Sequence, residues 1–329
     1  MSASKPRISI VGLGLIGGSI GLALRQAEVA SSVIGHDRDR LANGEAKKLG
    51  VVDRIEWNLI SACEKSDFII LATPAGAIEE TLEAIGPHLR PGCVVMDTAS
   101  LKGPVLAWAA QHLSDQVHFV GGDPILNATI RGQGGLMAAR ADLFKGGLFC
   151  LVPAATTDSD AVKLAADLVS LLGAKPFFLD VEEHDGLMAA VDHVPMLLAL
   201  AMVETLIRQP AWRELRKVAG PAFEASTQLI IPGSVAHSDL FVLNRDNVIR
   251  WIDELSASLD SIRGTLVEEE TEALVDRFLN AQQERQKWLV DRAMGEWYEG
   301  PRTEMPPRMS IMDTLLGTFW RRKPKKDQS

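Results

Sequence analysis

The plainest chemistry in this chain lies in three glycines. Gly12-Leu13-Gly14-Leu15-Ile16-Gly17 follows an apolar run at residues 8–11 and leads into a helical run that reaches Arg25. A G-x-G-x-x-G turn between strand and helix holds a dinucleotide: Gly12 permits the tight turn, Gly14 lets a pyrophosphate approach the backbone, and Gly17 lets helix and strand pack closely. Leu15 and Ile16 lie in the first helical turn, whose free N–H groups face the anion. Asp37 ends the next strand-like run, twenty residues after Gly17. A carboxylate there accepts hydrogen bonds from both ribose hydroxyls and repels a 2′-phosphate, so NAD is expected. Arg38 and Arg40 beside it keep NADP as the alternative. Thr73 and Pro74, directly after the run at residues 68–72, join the expected cofactor contacts at the carboxyl ends of the strands.

A second series of polar motifs runs through the rest of the chain. It comprises Asp97-Thr98-Ala99-Ser100-Leu101-Lys102-Gly103, Gly121-Gly122-Asp123-Pro124, Ala141-Asp142-Leu143-Phe144, Glu183-His184-Asp185, Asp192-His193-Val194-Pro195 and Asn244-Arg245. In that order and spacing they resemble the prephenate and arogenate dehydrogenases of tyrosine biosynthesis, over residues 7–288. The resemblance implies a Rossmann-like domain followed by a helical domain that dimerises. It also implies oxidation of a cyclohexadienyl compound with NAD(P), in which hydride leaves the ring carbon bearing the hydroxyl and loss of carboxylate aromatises the ring. By the same resemblance Ser100 lies near the nicotinamide and the substrate hydroxyl, and His193 reaches the substrate from the helical domain.

Two family positions are not kept. Where the family writes G-G-H-P or G-T-H-P, its histidine taking the hydroxyl proton, this chain has Asp123; where it writes F-R-D-T-T-R, its last arginine gripping a carboxylate, this chain ends on Gln228. The loop at residues 125–135 also departs, with Arg131 its only charge. Histidine titrates near working pH, whereas aspartate starts near about 3.9 and is the weaker base unless burial raises it. The two replacements move the pocket by about one to two charge units towards negative, against the needs of a dianion. Arogenate, with its ammonium, suffers less, and a substrate with an amine or fewer carboxylates suffers least. Arg131, Lys102 and Arg140 are the candidate replacement cations. The expected catalytic set is Asp123, Ser100 and His193, and the expected substrate contacts are Ser100, Lys102, Arg131, His193 and Gln228.

Structural readings compete at each position. His193 also fits a core histidine satisfied by a backbone carbonyl, Ser100 a cap for the helix near Lys102, and Asp123 a turn residue before Pro124. For His184 and Asp185 the preferred reading is electrostatics at a helix start, and for Glu268, Glu269 and Glu270 a solvated face.

These residues need a scaffold, and its pattern is α/β: a Rossmann-like doubly wound parallel sheet followed by an all-helical second domain. Apolar runs at 8–11, 32–35, 68–72, 94–97, 118–120, 148–152 and 176–179 alternate with helix-length segments, including residues 158–172. The expected boundaries are 1–180 for the dinucleotide-binding domain, 181–299 for the helical substrate and dimerisation domain, and 300–329 for a mobile basic tail with a short helix near residues 310–320. Pro195 predicts a kink in the helix at 182–208, whose apolar stretch at 194–206 is too continuous for a one-sided surface helix.

The net charge of -9 argues against a nucleic-acid surface. Cys63, Cys93 and Cys150 have no paired spacing, so neither a disulfide framework nor a metal site is expected. No apolar run approaches the roughly 18 residues of a membrane span, and the chain is placed in the cytoplasm. The first functional expectation is therefore an NAD-dependent dehydrogenase of prephenate or arogenate type, or a relative with shifted substrate, acting as a homodimer. The alternatives are a catalytically silent NAD-binding sensor and a β-hydroxyacid dehydrogenase-type reductase. The last usually places a lysine in the middle helix, and none lies between Glu182 and Arg208.

Overall fold

The computed structural model describes residues 5–127, 135–230 and 238–295. Arg131 and the tail from residue 300 lie outside them. Contacts divide the chain into two compact units that change over between Asp185 and Gly186.

The first unit is an eight-stranded sheet in the order β3-β2-β1-β4-β5-β6-β7-β8. Its strands are β1 (Arg7–Val11), β2 (Ser32–His36), β3 (Arg54–Ile55), β4 (Phe68–Leu71), β5 (Val94–Asp97), β6 (His118–Ile125), β7 (Leu148–Pro153) and β8 (Lys175–Phe178). Helices α1 (Leu15–Ala27), α2 (Arg40–Lys48), α3 (Leu59–Cys63), α4 (Ile78–Ile85), α5 (Gly103–His112) and α6 (Ser159–Leu171) accompany it. In β4, Phe68 and Ile70 join the cluster that holds Ile20 and Leu24 of α1 and Leu164 and Leu168 of α6, while Ile69 and Leu71 are buried elsewhere. Burial on both faces explains why these strands read as continuous apolar runs.

Two expectations about the sheet need correction. It is not wholly parallel, since β6 and β7 pair antiparallel. A parallel return needs a crossover of a dozen or more residues, usually a helix, and the described part of the connection holds only the short turn Leu136–Ala138. Secondly, the strand expected at 118–120 runs on to Ile125, with Asp123 opposite Cys150, so the competing reading of Asp123 as a turn residue fails. A Cβ on Gly122 would lie 2.6 Å from the Asp97 carbonyl oxygen. The glycines there admit a close neighbour rather than a reversal. The two-residue β3 carries no apolar run and escaped notice.

The change-over between the units falls inside helix α7 (Val181–Met188), beyond the expected boundary at 180/181. Asp185 accounts for the offset, because its carboxylate accepts the Lys102 and Gly103 N–H groups of the first unit. The expected kink at Pro195 takes the form of a π-helical turn, Ala189–His193, before helix α8 (Val194–Ile207). Proline has no N–H for the carbonyl four residues back, and a wider turn is one way the ladder absorbs that loss.

The second unit continues with α9 (Trp212–Val218), α10 (Pro221–Thr227), α11 (Ser238–Leu243), α12 (Arg245–Val267) and α13 (Thr271–Met294). Its buried cluster is small, namely Ala189, Val194 and Val248 with Leu197 and Leu255 against them. Glu268, Glu269 and Glu270 are exposed, as expected. One expectation fails: the run Val181–Ile207 contains an 18-residue stretch of mean hydropathy 1.8, so by length and composition it is able to cross a membrane. Only 28% of that stretch is buried. Asp192 and Glu204 interrupt the run in sequence and hid its length.

Candidate active site

A cleft of about 340 Å³ opens at the carboxyl ends of β1, β2 and β4. Gly12, Gly14, Asp37, Arg38, Thr73 and Pro74 line it, together with Leu59, Ala77, Glu80, Thr81 and Ala84. The three glycines do separate jobs. Gly12 has φ +93°, and a Cβ there would sit 2.4 Å from the Ala72 carbonyl oxygen. A Cβ on Gly17 would come within 1.9 Å of the Gly12 carbonyl oxygen. Gly14 has nothing within 4 Å of that position, so the protein itself does not require a glycine there and the space is open. Gly14 is also the N-cap of α1 and offers no side-chain oxygen to the first turn, which carries Leu15 and Ile16. Those N–H groups suit an anion.

Asp37 is held for its expected task. Its carboxylate accepts the N–H of Leu13 at 2.8 Å and of Asp39 at 2.8 Å, while Asn43 brackets its backbone. This ties the glycine turn to the carboxylate that follows β2. The Thr73 hydroxyl oxygen is buried with no partner among the described residues, and it lines the cleft. Open space at Gly14, an uncapped helix start and an orphaned hydroxyl together fit a dinucleotide.

A buried set of charges lies one and two strands further along the sheet. Asp97, fully buried at the end of β5, accepts the Ala99 N–H, the Gly122 N–H at 3.1 Å and the Lys102 ammonium. Lys102 is also fully buried and donates to the Gly122 carbonyl at 2.8 Å. Its stem passes Gly121, where a Cβ would lie 2.8 Å from Lys102 Cδ. Lys102, expected to present its charge to the substrate, is therefore corrected to an internal cation. A buried charge left without its partner costs about 3–5 kcal/mol, which is why Asp97 stands beside it.

Asp123 is 4% exposed and sits within β6. Its Oδ2 lies 3.2 Å from His184 Nε2, and His184 Nδ1 lies 2.8 Å from Asp185 Oδ1. Asp185 in turn takes the N–H groups of Lys102 and Gly103, both at 2.7 Å, so it caps α5 from outside the helix. Ser100 is thus not that cap; it sits half-buried in the loop before α5. Burial of the His184 ring works to lower its pKa, but hydrogen bonds from Asp123 and Asp185, with the Asp123 charge, outweigh it and hold the imidazole above its ordinary value. Cys150, across from Asp123, has its thiol pushed up to about 12, by burial first and the Asp123 charge second. It is no nucleophile at neutral pH.

His184 and Asp185 are the residues the sequence reading missed. A histidine next to an aspartate at a helix start looked like surface electrostatics, yet His184 is fully buried and Asp185 nearly so. The available signal was charge economy: Asp180 already accepts the Glu183 N–H at the start of this helix.

In the helical unit His193 is buried, with Nδ1 3.3 Å from Asn244 Nδ2 and its ring edge-on to Phe241. Asn244, first noticed as a sequence echo, orients it. Gln228 is exposed at the end of α10. Arg140 is half-exposed and pairs with Asp142 at 3.4 Å.

The family model described as the prephenate dehydrogenase nucleotide-binding domain matches residues 20–177, and the prephenate dehydrogenase dimerization domain matches residues 180–280. A probable prephenate dehydrogenase of Streptomyces niveus is 30% identical over 260 residues, covering 78% of this chain and 68% of the relative. The chain belongs to the prephenate dehydrogenase family. The prephenate dehydrogenase of Bacillus subtilis is 29% identical over 290 residues, 87% of this chain and 76% of that one. Among solved structures, prephenate dehydrogenase from A. aeolicus in complex with hydroxyphenyl propionate and NAD+ superposes with a TM-score of 0.80 at 27% identity, covering 87% of this chain and 99% of that one. The helical unit of this family member thus corresponds to a dimerization domain.

Proposed function

We propose that the chain is an NAD-dependent dehydrogenase that oxidises and decarboxylates a cyclohexadienyl substrate, prephenate or arogenate, to an aromatic product. The observation that carries the proposal is the pairing, on one sheet, of a cofactor cleft with a buried acid–base group, Asp123 on His184. Family membership supplies the reaction class. Bound NAD+ supplies the two-electron acceptor. Gly12, Gly14 and Gly17 with the first turn of α1 take its pyrophosphate, Asp37 its ribose hydroxyls, and Thr73 and Pro74 line its channel. Asp123 takes the proton of the substrate hydroxyl, with Ser100 and His193 as the other residues proposed to touch the reacting atoms. The silent-sensor reading rests on the missing histidine at position 123 and the missing arginine at 228; His184 against Asp123 removes the first ground and favours an enzyme.

The helical unit matches a dimerization domain, and a homodimer formed through it is part of the proposal. Three buried free thiols suit the reducing cytoplasm. The assay is NADH absorbance from purified protein with NAD+ and prephenate or arogenate. Turnover with either is expected, with arogenate favoured because its ammonium offsets one carboxylate where neutral Gln228 offers no cation. Silence with both would overturn the reading.

A further inference from the structure

The geometry points to a proton relay in which Asp123 accepts the proton of the substrate hydroxyl and His184 Nε2 stores it, with Asp185 fixing the imidazole from behind. This deepens the dehydrogenase reading and rests on it. The family's histidine has left the strand position, and a different histidine, 61 residues away in sequence, stands directly behind the aspartate that replaced it. The carboxylate stands on the strand and the imidazole packs against it.

Hydrogen-bond accounting fixes what this pair is able to do. Asp185 Oδ1 accepts from the backbone N–H of Lys102 and faces His184 Nδ1, so Nδ1 carries a hydrogen and donates. The second ring nitrogen then points at Asp123 Oδ2, either bare or protonated. With Nε2 bare and Asp123 ionised, the pair takes up one proton. After uptake the proton lies between Nε2 and Oδ2, in a hydrogen bond that suits either assignment. An aspartate alone is a weak base, but a base that delivers its proton to an imidazole has the proton affinity of the imidazole.

The other charges facing the ring agree with storage. Among the described residues, Lys102 acts against a proton on His184, and its own charge is matched by Asp97. Asp185 favours the proton, and Cys150 beyond Asp123 is a neutral thiol. Storage is also what the chemistry requires. As hydride leaves the carbinol carbon for NAD+, the O–H proton passes through Asp123 to His184 and a carbonyl forms. When the carbon–carboxylate bond breaks, carbon dioxide leaves and the electron pair enters the ring. The oxygen then takes the same proton back, so the proton balance is zero. His184 is a positioning and storage residue here, and Asp123 is the group that touches substrate.

The test has an arm that needs no turnover. Isotope-labelled histidine in the cofactor-free protein is titrated by NMR, in the wild type and in Asp123→Asn. The His184 midpoint is expected above the usual histidine value and to fall in the variant. A midpoint at or below that value, or one unmoved by the substitution, overturns the relay. In the kinetic arm the acid limb of the wild-type kcat/KM profile coincides with the His184 midpoint. His184→Gln, checked for folding and NAD+ binding, loses about 100-fold in kcat with little change in KM. An acid limb apart from the midpoint, or full kcat in His184→Gln, also overturns it. If the wild type is silent with prephenate and arogenate, the dehydrogenase reading fails and the relay with it, while the titration still reports whether the two groups share a proton.

Discussion

At the scale of single residues, the exchange of histidine for aspartate at position 123 changes meaning once its neighbour is known. Counted from sequence, the replacement makes the pocket more negative. With Nε2 bare and Asp123 ionised the pair carries one negative charge, and it becomes neutral when His184 stores the substrate's proton. Asp123 was legible because it broke a motif. His184 was not, because a contact between residues 123 and 184 depends on the register of β6 and the start of α7, neither of which follows from local pattern. Linkage makes the pairing measurable in stability. A histidine whose folded pKa is raised contributes stability that is complete below its unfolded value, about 6.5, and is lost as pH rises through the folded value. Thermal melts across that range should fall towards alkaline pH more steeply in the wild type than in Asp123→Asn; parallel curves would contradict the pairing.

At the scale of elements, the glycine turn separates folding from binding. Gly17→Ala drives a Cβ into the Gly12 carbonyl oxygen, and overpacking of this kind costs about 1–3 kcal/mol. Gly14→Ala meets no protein atom. Calorimetry should therefore find a lowered Tm for Gly17→Ala. Gly14→Ala should keep the wild-type Tm and bind NAD+ at least about tenfold more weakly, since the methyl occupies the pyrophosphate space. Equal effects of the two on Tm would refute this division. Most strands and helices were readable from apolar period and turn residues, because propensity and burial agree there. The exceptions share a cause. Gly121 and Gly122 signal a turn but serve a strand squeezed between Asp97 and Lys102, and the π turn ahead of Pro195 is a repair that the helical period cannot announce. The antiparallel pairing of β6 with β7 goes with a connection whose described part holds only the short turn Leu136–Ala138.

At the scale of the whole molecule, the helical unit leaves many large apolar side chains open. On α13, Val275, Phe278 and Leu279 are 49%, 69% and 58% exposed and fall at i, i+3 and i+4, one stripe of the helix. Contiguous exposed apolar side chains mark association surfaces, and the proposed dimer would cover this stripe. Light scattering after gel filtration should return twice the chain mass, and Phe278→Asp should shift it towards the monomer; a monomeric wild type would count against the dimer. The same burial logic, turned inward, bears on how the first unit breathes. His184 exposes no surface to solvent, so its ring hydrogens trade with bulk water only when that unit opens locally. Within one turnover the proton lifted from the substrate hydroxyl should then stay out of reach of bulk water until the phenol oxygen takes it back, an isotopic memory that ends when the phenol is released.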